Sequence, residues 1–212
     1  MGLWIAGAQN VVTASSDGSY TLGGLPAGDY KVLFAPRYWV DSSSVQHVVN
    51  FAEQWYSNQI LRTTSQPTTL GSGQTIGNID AALRPEISFT DIPSNAPFFS
   101  EITWLGSTGV STGYGDGTYR PLNSVNRDAM AAFLYRLAGS PTFTAPASSP
   151  FTDVATNNPF YKQITWLAAQ GISTGWTEAD GTKTFRPLNS VNRDAMAAFM
   201  NRYASLVNYG FV

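Results

Sequence analysis

The chain has 212 residues, of which 43% are hydrophobic and 12% are charged, and its formal net charge is −2. This length and composition exclude a disordered chain and indicate a globular protein with a buried core. The acidic balance gives no electrostatic reason to bind nucleic acid, and no apolar run approaches the ~20 residues of a membrane span. The sequence contains no Cys, which is compatible with secretion, and no cationic signal segment at its start, so we expect it to begin inside a longer protein.

Residues 1–86 predict β-structure, because short β-branched and aromatic runs alternate with Gly, Pro and Asp turns. In DYKVLF, the alternate residues Tyr30, Val32 and Phe34 suit one buried face. We expect six or seven short strands in a small antiparallel sandwich, including 19–22 and Ile76–Leu83.

After residue 86 the pattern becomes helical. Pro97–Leu105 places Phe98, Ile102 and Leu105 at helical spacing, and Val125–Leu137 repeats the pattern. A Gly follows each segment as a helix stop, and a Gly/Asp/Pro-rich loop separates the two. The predicted unit is a helix, a glycine-rich loop and a second helix.

The segment RPLNSVNRDAMAAF occurs twice, beginning at Arg120 and at Arg186. FTDIPSNAPF, from Phe89, also aligns with FTDVATNNPF, from Phe151, at an offset of 62 residues that becomes 66 at the second arginine. The second copy therefore has about four extra residues in its loop, where insertions are tolerated. Repeated units of this size stack on their neighbours to cover their hydrophobic faces.

The ordered motifs FTDV, ITWLAAQGISTG, DGT(Y/F)RP and VNRDAMAAF resemble the S-layer homology (SLH) module of bacterial surface proteins, in wording closest to the actinobacterial type. The resemblance implies helix-loop-helix modules, three of which normally form a pseudo-threefold spindle. Its grooves bind a secondary cell-wall polymer that often carries a pyruvate ketal. DGSYTLGGLPAGDYKVLF resembles carboxypeptidase-regulatory-like or Cna-B-like sandwiches, which serve as spacers; the opening strand of that family is missing or replaced by Leu3–Ala6, which would leave an exposed edge.

The predicted fold class is multidomain α plus β, with an antiparallel β-sandwich followed by two helix-loop-helix SLH repeats in an incomplete helical bundle. The predicted divisions are a spacer domain at 1–86, repeat 1 at 87–139, a Pro/Ser/Ala linker at 140–150, repeat 2 at 151–206 and a tail at 207–212.

Arg127 and Arg193 stand where the resembled modules have the arginine of a T-R-A-E segment. The resemblance implies that this arginine contacts the acidic sugar, as a guanidinium can with two parallel hydrogen bonds. The alternatives are pairing with the adjacent aspartate or simple exposure on a helix. Asn replaces the Thr as an equally good N-cap, but Ala129 and Ala195 replace the Glu, which removes half of a capping box.

The loop residues supply further candidate contacts with a glycan. Tyr114 and Trp176 could stack on a sugar ring, whereas Trp104 and Trp166 fit a helix core better. Two glycines and two aspartates in the same loops could also contact the ligand. Their alternative role is turn formation: Gly113, Gly175, Asp116 and Asp180.

Catalytic and metal chemistry find no support in this sequence. The only histidine, His47, lies in a strand-like segment, and the four glutamates are scattered. A trace of a calcium loop at 178–181 lacks the full ligand spacing, and no cofactor motif occurs. We therefore expect neither an enzyme nor a metal or cofactor site.

The sequence predicts a non-catalytic, extracellular module that anchors a protein to the bacterial cell wall by binding an acidic glycopolymer. One alternative is a structural module that self-associates through the unfilled third SLH position. The other is the non-catalytic tail of a cell-wall hydrolase.

Overall fold

The computed structural model describes residues 2–5, 8–13, 15, 17–35, 39–40, 46–47, 51–62 and 64–206, with the backbone alone for 2–13, 39–40 and 46–47. The chain divides into two compact units, Met1–Tyr119 and Arg120–Val212. The division falls between the two predicted helices of repeat 1. His47, which was expected in a strand, lies in one of the segments of which only the backbone is described.

The first unit contains short antiparallel strands. Its four-stranded sheet has the order β2-β1-β4-β7, and two-stranded ribbons pair β3 with β8 and β5 with β6. The strands are β1 (Gly2–Ile5), β2 (Ala8–Thr13), β3 (Gly28–Tyr30), β4 (Val32–Ala35), β5 (Trp39–Val40), β6 (Gln46–His47), β7 (Gln54–Trp55) and β8 (Thr68–Leu70). The segment expected to leave an exposed edge is instead the interior strand β1, which pairs with both β2 and β4.

Val32 and Phe34 form the core of this sheet, as the alternation predicted, whereas the third predicted residue, Tyr30, is only partly buried in β3 and is not part of this core. The expected strands at 19–22 and Ile76–Leu83 are irregular, yet they pack on that core through Tyr20, Leu22, Ile79, Ala81 and Leu83. Tyr20 also donates its hydroxyl hydrogen to the carbonyl of Ile79. The alternating sequence pattern identified buried residues of this sheet. In the two irregular segments, however, side-chain packing on the core replaces the hydrogen bonds of a β-ladder. The described residues therefore form one sheet with flanking segments and ribbons.

Helix α1 (Phe99–Ser107) completes the first unit. Ile102 packs with Phe89 and Ile92 in a separate small core. The prediction that Phe98 belongs to the buried face is wrong, because its side chain is 74% exposed. Phe98 precedes the helix with φ 60°, so it does not follow the helical periodicity on which that prediction relied.

The second unit contains α2 (Arg127–Leu137), α3 (Tyr161–Ala169), β9 (Trp176–Thr177), β10 (Lys183–Thr184) and α4 (Arg193–Leu206). One hydrophobic cluster joins the three helices through Leu134 of α2, Ile164 of α3 and Tyr203 of α4. Trp166 lies inside it, edge-on to Tyr135 with ring centres 5.3 Å apart. The second helix of repeat 1 thus shares a core with both helices of repeat 2. In the described part of the chain, no helix is long and apolar enough to cross a membrane.

The first turn of α2 is closed by repeat 2 and not by a side-chain N-cap. Asn126 occupies the N-cap position without a side-chain hydrogen bond. The N–H groups of Arg127 and Asp128 donate instead to the carbonyls of Asn189 (3.0 Å) and Pro187 (3.1 Å). The carboxylate of Asp128 accepts the next N–H of the helix, from Ala129, at 2.6 Å. The expected Asn cap is therefore replaced by backbone carbonyls of the partner repeat.

Candidate functional site

Arg127 begins α2 and extends into the loop of repeat 2. Its Nε donates to the carbonyl of Phe185 (2.8 Å), and one terminal nitrogen donates to the hydroxyl of Ser173 (3.0 Å). The guanidinium carbon lies 4.2 Å from the ring centre of Trp176 and 5.3 Å from that of Phe199. A single side chain of repeat 1 is therefore held by four residues of repeat 2.

The charge of Arg127 is buried without a matching carboxylate. Its side chain is 5% exposed, and none of the described residues forms an ion pair with it. Burial and, to a smaller extent, the neighbouring Arg186 lower the pKa of Arg127 to about 10, while Asp153 opposes the shift. At neutral pH the group remains a cation in a region of low dielectric, where its field is weakly screened.

Trp176 connects this buried cation to the surface. Its side chain is 38% exposed, and the guanidinium carbon of Arg186 also lies 4.4 Å from its ring centre. Arg186 forms an ion pair with Glu178 (3.0 Å), whose carboxylate also accepts a hydrogen bond from Thr184. The surface of repeat 2 therefore presents an indole between two arginines, one buried and one half-exposed. We call Arg127, Trp176, Glu178 and Arg186 the arginine–tryptophan site.

Glu178 has a lowered pKa, first because the Thr184 hydroxyl donates to it and second because Arg186 does. We expect Thr184→Val and Arg186→Ala each to raise this pKa, because each removes a hydrogen bond to the carboxylate. Because the folded-state pKa lies below the ordinary glutamate value of 4.5, the stabilisation is present above that pH and is lost as the pH falls through the folded-state pKa. Carboxyl-resolved NMR titration measures each shift; an unchanged pKa in both variants would contradict the assignment.

Gly113 and Gly175 occupy matching positions with φ of +63° and +74°. A Cβ on Gly113 would lie 2.6 Å from the carbonyl oxygen of Thr118, and one on Gly175 would lie 2.7 Å from the ring of Phe151. The close approach that requires glycine is therefore made by the protein's own loop and core. This is the turn-forming role that the sequence offered as an alternative to ligand contact.

Asp116 and Asp180 close matching turns. Each carboxylate accepts the backbone N–H and the hydroxyl of the threonine two residues ahead, at 3.0 and 2.6 Å in the first loop and 2.9 and 2.7 Å in the second. The bonds from Thr182 also hold the pKa of Asp180 below its usual value. These contacts give both aspartates a structural role.

The remaining predicted site residues differ in accessibility. Arg193 and Tyr114 are exposed, whereas Arg127 is buried. A bidentate contact between Arg127 and a sugar carboxylate, as the resemblance implies, does not fit a buried guanidinium that already donates to two protein acceptors. Pairing of Arg127 with Asp128 is not found either, since that carboxylate binds the helix backbone.

Arg186 and Glu178 were missed as site residues by the sequence reasoning. One signal was available, because Arg120 and Arg186 open the repeated segment in both copies. Both adopt positive φ, 58° and 57°, which is costly for a residue with a Cβ. A strained conformation kept at matching positions of two repeats marks a place where the tertiary structure requires it.

Helix-loop-helix repeats whose helices share one core define the class of tandem-repeat proteins. Two stretches of the chain, residues 88–131 and 150–197, are similar to the S-layer homology domain. Such domains are in general non-catalytic modules that anchor cell-surface proteins to the cell wall. No curated protein matches the chain. Among the described residues, no group of three or more histidines and carboxylates could hold a metal ion.

Proposed function

We propose that the chain anchors an extracellular bacterial protein to the cell wall by binding an acidic secondary glycopolymer at the arginine–tryptophan site. The observation that carries this proposal is the buried charge of Arg127, which has no ion-pair partner in the described structure and lies against a half-exposed indole. A carboxylate on a bound sugar would supply the missing negative charge. The pyruvate ketal of the resembled polymers carries such a group.

The parts of the site contribute differently to this recognition. Arg186 is accessible and can donate hydrogen bonds directly to a carboxylate. The buried Arg127 adds a positive electrostatic potential at the same site. Trp176 offers its exposed edge to the sugar, because arginines lie against its ring. Glu178 competes with the ligand for Arg186. The polymer carboxylate would therefore replace Glu178 as the partner of Arg186.

Three substitutions separate these roles in a co-sedimentation assay with purified bacterial walls. We expect Arg186→Ala and Trp176→Ala each to weaken binding by about tenfold, through loss of a charge-assisted bond and of sugar contact. Glu178→Gln is expected to strengthen binding, because it frees Arg186. Arg62→Ala, at an exposed position of the first unit, is the control. Equal binding by wild type and Arg186→Ala would contradict the site.

Walls whose secondary polymer has been chemically altered test which group of the polymer the protein binds. Binding should disappear when the secondary polymer is stripped, and it should weaken when only the pyruvate ketal is removed. Undiminished binding to bare peptidoglycan would overturn the proposal. Loss on stripping without an effect of the ketal would retain wall anchoring and remove the pyruvylated ligand.

The organisation around the site belongs to the same proposal. The resemblance of residues 1–86 to spacer sandwiches supports a stalk that separates the modules from a cargo, and the motif wording supports an actinobacterial origin of the repeats. Limited proteolysis should cut first in 140–150 if that segment is an open linker. Protection of that segment would argue for longer modules than 87–139 and 151–206.

A further inference from the structure

The stretch FTD opens both repeats, at 89–91 and 151–153, and it has so far been given no role. In repeat 2 its aspartate, Asp153, binds the loop that carries the arginine–tryptophan site. One carboxylate oxygen accepts the N–H of Phe185 at 2.8 Å, and the other accepts the N–H of Arg186 at 2.7 Å. Two consecutive peptide groups beside the site are therefore bound by a single side chain.

The peptide group between Phe185 and Arg186 is bonded on both sides. Its N–H donates to Asp153, and its carbonyl accepts the Nε–H of Arg127 at 2.8 Å. Because the C=O and N–H of a trans peptide point in opposite directions, the carboxylate and the guanidinium lie on opposite sides of this group. Hydrogen bonds in such a chain polarise one another, so the carboxylate makes the carbonyl a better acceptor for the cation. Asp153 also raises the pKa of Arg127 through its negative charge, against the effect of burial.

The same carboxylate fixes the backbone from which the Arg186 side chain extends. Arg186 has φ 57°, a conformation that is costly for a residue with a Cβ. The bond from its N–H to Asp153 is made in this conformation and offsets part of the cost. From that backbone the guanidinium reaches the ring of Trp176 and the carboxylate of Glu178. Without the bond, Arg186 is expected to leave this position.

We propose that Asp153 is a positioning residue for both arginines of the arginine–tryptophan site. It holds Arg127 through the shared peptide group and Arg186 through the backbone N–H. A carboxylate repels an acidic glycan, so Asp153 acts through the two arginines and not by contact with the ligand. This inference rests on the proposed function of the site, and it adds the residue that fixes the two cations relative to each other.

Repeat 1 supplies a matched control. Asp91 of its FTD stretch accepts the N–H of Tyr119 at 2.8 Å, as Asp153 accepts that of Phe185. Arg127, however, donates to the loop of repeat 2. Asp91→Asn therefore removes the same kind of loop contact without disturbing the arginine–tryptophan site.

NMR of the full chain tests the positions of the two arginines without any ligand. Asp153→Asn keeps the shape of the side chain but replaces one acceptor oxygen with a donor amide, so it cannot bind both N–H groups. We expect the Nε–H resonance of Arg127 to shift and its hydrogen exchange to accelerate by about fivefold. The pKa of Glu178 should rise as it does in Arg186→Ala, because Arg186 no longer donates to that carboxylate. Asp91→Asn should change neither signal.

Co-sedimentation with bacterial walls tests the consequence for binding. We expect Asp153→Asn to weaken binding by about fivefold, and Asp91→Asn to leave it unchanged. A double-mutant cycle separates positioning from general stability. In the Arg186→Ala background, Asp153→Asn should weaken binding further by less than about twofold, the part that acts through Arg127.

Three results would overturn the inference. One is an equal loss of binding in both backgrounds, which is the sign of a role in folding alone. The second is normal wall binding by Asp153→Asn under conditions where Arg186→Ala binds weakly. The third is an Arg127 resonance and a Glu178 pKa that Asp153→Asn leaves unchanged. If the wild-type chain does not bind walls, the proposed function fails, and the two NMR measurements still decide whether Asp153 holds the arginines.

Discussion

Arg127→Ala is expected to lower the free energy of unfolding of the second unit by about 3 kcal/mol, which corresponds to a fall of roughly 15 °C in melting temperature. The substitution leaves a cavity between Trp176 and Phe199. It also leaves the carbonyl of Phe185 and the hydroxyl of Ser173 without their donor. Thermal and denaturant unfolding of the full chain measure the loss.

Arg193→Ala is the matched control, because Arg193 stands in an identical stretch of sequence but is exposed. We expect a change of less than about 0.5 kcal/mol. Arg127→Met separates volume from charge, since methionine fills the space without a buried cation. Because burial disfavours that cation, methionine should recover more than half of the loss. Equal effects of Arg127→Ala and Arg193→Ala would show that Arg127 is not buried as described.

Gly175→Ala is expected to destabilise the second unit by about 3 kcal/mol. The backbone has φ +74°, which costs energy for any residue with a Cβ, and the added methyl would collide with the ring of Phe151 and the carbonyl of Thr184. Because that loop positions Trp176, wall binding should fall together with stability. Denaturant unfolding and co-sedimentation on the same samples test both effects.

Gly171→Ala distinguishes backbone strain from collision. Gly171 has φ +69°, close to that of Gly175, but nothing lies within 4 Å of an added Cβ. We expect a loss of about 1 kcal/mol, from the conformation alone. The same comparison is available in repeat 1 between Gly113 and Gly109. If Gly171→Ala and Gly175→Ala cost the same, close packing of the loop on Phe151 is not important.

Local features of the site were predictable because local chemistry determines them. Asp-Gly-Thr stretches predict turns, and Asp116 and Asp180 do hold the following threonines. Helical spacing located α2 and identified Met130 and Leu134 as core residues. The same reasoning failed at Phe98, because a residue just outside a helix need not follow its periodicity.

Contacts distant in sequence were not predictable from either segment alone. Arg127 and Ser173, which are 46 residues apart, meet only because the two repeats pack together. The expected N-cap of α2 was replaced by carbonyls from more than fifty residues further along the chain. Nothing in VNRD reveals such a partner, since a helix start can be closed by its own side chains or by another segment.

The sequence by itself determined the repeated helix-loop-helix unit, its turns and its glycine positions, because these follow from backbone conformation and the spacing of neighbouring residues. Only the tertiary structure decided that Arg127 is buried and that Arg193, in the same fourteen-residue segment, is exposed. The physical reason is that burial depends on what packs against a residue. Phe185, Trp176 and Phe199 of repeat 2 pack against Arg127 at the start of α2, whereas Arg193 at the matching start of α4 stays exposed.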